Sequence, residues 1–181
     1  MLVFDASTLI LLAKIELLGD LSRELDVIIP KVVEEEATAK KDSFDAKMIR
    51  SLIEEGKIRV EPVKNEGTVE ELMRDFKMDE GEAAVLTLFE KKDADLIATD
   101  DGQLIKAAKV MGIPFVNSIS FLIRAKEKGI LDEDIALEKL RKLEEFGWYK
   151  ARIIGDVNKT SFVSQRNFIP RAEKMIKGGK K

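Results

Sequence analysis

The sequence predicts an α/β fold, with a five-stranded, mostly parallel sheet and helices between the strands. Three observations carry this. Short runs rich in Val, Ile and Phe recur along the chain, each bounded by polar or turn residues. Those runs are apolar throughout rather than alternating, as strands covered on both faces are. The segments between them have helical periodicity, which joins parallel strands by right-handed crossovers.

Taken in order, the strands are Leu2–Ala6 ("LVFDA"), Val27–Pro30 ("VIIP"), Lys57–Pro62 ("KIRVEP"), Asp95–Thr99 ("DLIAT") and Ile113–Val116 ("IPFV"). The first crossover reads as one apolar helix, "STLILLAKIELLGDL". Pro30 suits the first turn of the next helix, "PKVVEEEATAK", because its missing N–H is needed by no partner there. Ser43 caps "SFDAKMIRSLIEE" and Gly56 ends it. Thr68 with Glu71, and Asp79 with Glu82, have capping-box spacing. Two helices, "SISFLIRAKEK" and "DEDIALEKLRKLEEF", follow the last strand. The expected organisation is one domain over residues 1–126. Residues 127–181 form a C-terminal helical extension with a basic tail, packed on that domain or trailing it.

Composition narrows the chemistry. The chain is 45% hydrophobic and 36% charged, which is globular rather than disordered. It has no Cys and no His. That excludes disulfides, thiolate or imidazole zinc sites, and every catalytic triad built on His. Abundant Lys and Glu with no Cys fit a thermophile's intracellular protein. Asp5 interrupts the N-terminal apolar run, and the most apolar helix is too short for a bilayer, so the expected location is cytoplasmic. Residues 159–181 carry +6 and the rest of the chain −9. A basic tail fits either a nucleic-acid partner or a solvated end.

The remaining candidates are carboxylates. Open α/β sheets bind ligands beyond the carboxyl ends of their strands. Asp5 ends the first strand; Asp100 and Asp101 end the fourth. Helical spacing nominates two more. Glu36 continues the stripe of Val32, Val33 and Ala37, while Glu34 and Glu35 share a more polar arc. Glu82 shares a face with Val85, Leu86 and Phe89. Each acid also has a plainer reading: helix capping for Asp5, Asp100 and Asp101, a capping box for Glu82, a solvated face for Glu36. Asp101 lies on the apolar side of its helix with Leu104 and Ile105, which favours it over Asp100. Carboxylates gathered at one edge repel one another unless a cation neutralises them. All-oxygen ligands select hard ions such as Mg²⁺ or Mn²⁺.

The ordered set "FDAS", "IIPKVVEEE", "DEGEAAVL" and "ATDDGQLIKAAKVMGIPFV" resembles the PIN-domain nucleases, which include the VapC toxins. The likeness is to archaeal and bacterial relatives with a Gly-Glu-Ala motif, and it covers Leu2 to Lys126. It implies a three-layer α/β/α fold and a metal-dependent ribonuclease that hydrolyses RNA with Mg²⁺ or Mn²⁺. It also implies a plausible homodimer and, for a toxin-like role, an antitoxin partner. By position, Asp5 is the first acid and Ser7 its neighbouring hydroxyl. Glu36 is the second acid, Glu82 the third and Asp101 the fourth, two residues after Thr99; Asp100 is an additional acid that could share or replace the role of Asp101 at the metal. The third acid is Glu where many relatives have Asp. Two readings of other classes stand beside this one. One is a non-catalytic RNA- or protein-binding module, which needs no repulsive acid cluster. The other is a receiver-type phosphoacceptor, whose acidic pair follows the first strand and not the fourth. Nucleotide-binding glycine motifs are absent.

Overall fold

The structure is a computed structural model and describes residues 1–63 and 66–146. Five strands form one sheet: β1 (Leu2–Phe4), β2 (Val27–Pro30), β3 (Ile58–Glu61), β4 (Leu96–Ala98) and β5 (Phe115–Val116). Their order is β3-β2-β1-β4-β5, and every pairing is parallel. The sheet is therefore parallel throughout, within the expected class. β1, β2 and β4 are buried along their whole length, which explains their unbroken apolar runs.

Seven helices connect or flank the strands up to β5. They are α1 (Ala6–Lys14), α2 (Leu18–Glu24), α3 (Lys31–Ala37), α4 (Phe44–Glu54), α5 (Glu66–Phe76), α6 (Glu80–Lys92) and α7 (Gly102–Met111). The chain moves outward from β1 through β2 to β3, then returns to β4 on the other side of β1. Right-handed crossovers place α1, α2 and α4 on one face and α5, α6 and α7 on the other. α6 is buried from Gly81 to Leu88 and packs against β1, β2 and β4. α3 directly follows β2 and touches both α1 and α6.

Two expectations about helices are corrected. "STLILLAKIELLGDL" is two helices, because the chain turns left-handed at Glu16 (φ 57°). The Glu16 N–H donates to Ala13 O and the Leu17 N–H to Leu12 O, both at 2.9 Å, the paired bonds of a Schellman ending. A helix starting at Thr68 is also wrong: α5 begins at Glu66, so Thr68 is inside it and caps nothing. The Asp79–Glu82 capping box is present in full.

The chain divides into two compact units, Met1–Ser118 and the part from Ile119 onward. In the second, α8 (Ser118–Glu127, whose first residue belongs to the first unit) is followed by α9 (Glu133–Glu145), capped by the Asp132 side chain on the Ile135 N–H. Among the described residues, no helix is long and apolar enough to cross a membrane.

Candidate active site

β1 and β4 are neighbours, and the chain leaves them towards opposite sides of the sheet. The crevice between their carboxyl ends is the topological switch point, where an open α/β sheet binds its ligand. In register, Leu2 pairs with Leu96 and Phe4 with Ala98, which sets Asp5 opposite Thr99. Every acid singled out above belongs to this edge or to a helix that reaches it.

Asp5 is 4% exposed and N-caps α1. Its Oδ2 accepts the Ser7 hydroxyl at 2.5 Å and the Thr99 hydroxyl at 3.1 Å. Each hydroxyl is itself oriented, because Ser7 Oγ accepts the Asp100 N–H and Thr99 Oγ1 accepts the Asp101 N–H, both at 3.0 Å. A hydroxyl that accepts along one direction has its single proton free to point at Asp5. Burial raises the Asp5 carboxyl above the usual aspartate range, and the Ser7 and Thr99 hydroxyls oppose that rise without cancelling it.

Glu82 and Asp101 face each other across the crevice. Glu82 lies in the first turn of α6 and is 9% exposed; its Oε2 accepts the Asp79 N–H at 3.0 Å. Asp101 caps α7, its Oδ1 accepting the N–H groups of Gln103 (2.6 Å) and Leu104 (2.9 Å). The two carboxyls share a hydrogen bond, so one keeps a proton. Burial first, then the Asp101 carboxylate, pushes Glu82 up to about 8. Burial works against an ionised Asp101 as well. The bonds from Glu82 and from the α7 N–H groups outweigh it and hold Asp101 below the ordinary range.

Glu36 stands in the last turn of α3 and is exposed, on the lip of the crevice. Of the three successive glutamates, Glu34 is half-buried and paired with Lys31, while Glu35 and Glu36 are exposed. Glu36 still reaches the crevice, because its Oε2 lies 3.3 Å from where a Cβ on Gly81 would stand. Its carboxyl is raised by the burial it has, then by the charges of Asp5 and Asp79. The glycine before Glu82 thus leaves room for the second acid beside the third.

Asp100 turns elsewhere. Its carboxylate accepts from Thr8 Oγ1 (2.6 Å), Ser118 Oγ (2.5 Å) and the Ser118 N–H (3.1 and 3.2 Å). The motif reading held Gly81, as the glycine of Gly-Glu-Ala, but gave it no role, and it overlooked Thr8 and Ser118. The capping-box spacing pointed to Asp79, while nothing local pointed to Thr8 or Ser118.

A family model described as a PIN domain matches residues 1–157. The chain belongs to the PIN-domain family. PIN domains are generally nucleases acting on nucleic acid, and they usually use divalent metal ions. No curated protein and no solved structure matches this chain. The donors of this PIN domain suit such an ion, since they are all oxygen and a cation would displace the proton that Glu82 keeps. Among the described residues, no three acids form a ready-made cage; Glu82 and Asp101 are instead closed on each other through the proton they share.

Proposed function

We propose that this PIN domain is an endoribonuclease that hydrolyses RNA phosphodiester bonds with Mg²⁺ or Mn²⁺. The observation that carries the reading is the Glu82–Asp101 pair beside buried Asp5 at the switch point. Two acids forced to share a proton near neutral pH favour a divalent cation in its place. Asp5, Glu82 and Asp101 would hold the ion. When bound, it supplies a water activated towards hydroxide and neutralises phosphodiester charge.

The remaining work belongs to the chain's own groups. Ser7 and Thr99 fix the Asp5 carboxylate by donating to Oδ2. The α7 N–H groups keep Asp101 ionised. Glu36, on the open lip, is placed to orient the attacking water or to hold a second ion. The nuclease domain is residues 1–126, with residues 127–181 as its extension. Arg166, Arg171 and Lys174 of the basic tail would contact phosphates, and they lie outside the described residues. Lys31 is exposed and bound to Glu34. The family resemblance supports a homodimer and a toxin-like role with an antitoxin protein; light scattering and co-purification test these.

The decisive experiment is cleavage of an end-labelled, mixed-sequence single-stranded RNA with Mg²⁺ or Mn²⁺, comparing wild type with Asp5→Asn. The substitution keeps size and removes one charge. Metal-dependent cleavage by wild type, lost in a variant that is folded by circular dichroism, supports the nuclease. No cleavage by either protein, with no Mn²⁺ uptake by calorimetry, leaves the non-catalytic binding module. That alternative is favoured by one feature, the lack of a preformed three-acid cage among the described residues.

A further inference from the structure

The two aspartates of "TDD" are adjacent in sequence and differ in what they face. Asp101 faces Glu82, whereas Asp100 has its carboxylate taken up by Thr8 and Ser118. Three of the four contacts land on one oxygen, Oδ2. Thr8 is fully buried, as is Ser118. Such a carboxylate is a hub for donors. Donors reach both of its oxygens, Oδ1 from the Ser118 N–H and Oδ2 from Thr8 and Ser118.

The hub's position matters because of what it grips. The Asp100 N–H donates to Ser7 Oγ at 3.0 Å, and the Ser7 hydroxyl in turn donates to Asp5 Oδ2. The Asp100 carboxylate holds Thr8, the very next residue of α1. Asp100 therefore clamps two successive residues of the first turn of α1, one through its backbone and one through its side chain. Asp5 caps that same turn.

We propose that Asp100 is a positioning residue for Asp5, acting through Ser7 and Thr8, and that Asp101 alone of the pair serves as the fourth acid of the site. The inference rests on the nuclease reading and deepens it. Its consequence is an asymmetry towards amide substitution. An Asn at position 100 still presents one carbonyl oxygen to Thr8 and Ser118 Oγ, so the clamp survives. An Asn at position 101 loses the negative charge that the cation needs.

The test measures the Mn²⁺ concentration for half-maximal RNA cleavage, with kcat and KM for RNA, in four variants: Asp100→Asn, Asp100→Ala, Thr8→Val and Asp101→Asn. Asp100→Asn is expected within about threefold of wild type. Asp101→Asn loses cleavage by about 100-fold or more. Asp100→Ala raises the Mn²⁺ midpoint by about 10- to 100-fold, the usual size of an outer-shell loss, with the RNA KM unchanged. Thr8→Val, which keeps shape and has no charge to lose, shifts the midpoint in the same direction by a smaller factor. Asp100→Asn as inactive as Asp101→Asn would make Asp100 a ligand and overturn the inference alone. A lower melting temperature in Asp100→Ala and Thr8→Val with an unmoved Mn²⁺ midpoint overturns it too, by reducing the clamp to a structural brace. Wild type that neither binds Mn²⁺ nor cleaves RNA removes the nuclease reading first, and this inference with it.

Discussion

Glu82 carries a proton at neutral pH in the metal-free protein, and the sign of its effect on stability follows. Its pKa rises from 4.5 in the unfolded chain to about 8 in the fold. Between those values the folded state binds a proton that the unfolded state has released, so stability falls as pH rises. The contribution is fully present below about pH 4.5 and gone above about pH 8. Asp5, Asp100 and Glu36, also raised, add slopes of the same sign from their own unfolded values upward. Asp101 acts oppositely: its lowered pKa stabilises above 3.8, and that is lost as pH falls through the folded value. Metal-free protein is therefore expected to melt at progressively lower temperature from pH 5 to pH 8, and Glu82→Gln to flatten that dependence. Differential scanning fluorimetry in chelator checks both; an unchanged slope in the variant would refute the shared proton. Mn²⁺ must displace the same proton, so its apparent affinity is expected to tighten by up to about tenfold per pH unit and level off near pH 8. Calorimetry at pH 6, 7 and 8 reads this directly. At this scale the sequence exposed the acids through strand ends and helical spacing. It did not expose their states, because a pKa depends on neighbours distant in the chain, as Asp101 is from Glu82.

Helix endings show how much a local signal can hide. Gly56 (φ 69°) and Gly112 (φ 68°) end α4 and α7 with the same pair of bonds that ends α1, and glycine announces both. Glu16 does the same at φ 57° with a side chain that disfavours it. Without a glycine there, the stretch reads as one helix. Glu16→Gly is expected to stabilise the protein by about 1 kcal/mol, since only glycine adopts this backbone freely; urea denaturation measures it, and destabilisation would show that the Glu16 side chain is worth more than the strain. The capping box of α6 is a local signal that held, and it serves the site. Asp79 accepts the Glu82 N–H at 2.9 Å, and Glu82 returns the bond to the Asp79 N–H. Asp79→Ala is expected to cost about 1 kcal/mol of stability. It also removes a negative neighbour of both Glu36 and Glu82, so their raised pKa values fall towards normal; carboxylate NMR titration follows that change.

At the scale of the whole molecule, stability and chemistry have separate owners. The core is Phe4, Leu9, Leu12, Ile28, Ile29, Leu86 and their buried neighbours. The candidate site is a rim of carboxylates from β1, α3, α6 and the β4–α7 turn. Ile28→Val, in the middle of β2, is expected to cost about 0.5–1.5 kcal/mol in chemical denaturation while leaving the rate of RNA cleavage unchanged. Asp5→Asn is expected to do the reverse: it loses cleavage, and it keeps or gains stability at pH 8, because a buried charge is removed. A matching loss of activity in Ile28→Val would mean that the rim is not held independently of core packing.

The sequence by itself determined the elements and which acids stand at their ends. Apolar runs, helical spacing and the Asp79, Asp101 and glycine caps are local features, and they placed all five strands and nominated Asp5, Glu36, Glu82, Asp100 and Asp101. Only the tertiary structure decided how those acids meet. The strand order puts β1 beside β4, and α6 crosses back over β1, β2 and β4, so Glu82 is brought to Asp101. The same packing turns Asp100 away to Thr8 and Ser118 and leaves Glu36 on the lip. Adjacent residues leave a strand end in different directions, and what each one encounters is set by elements up to 92 positions away in the chain.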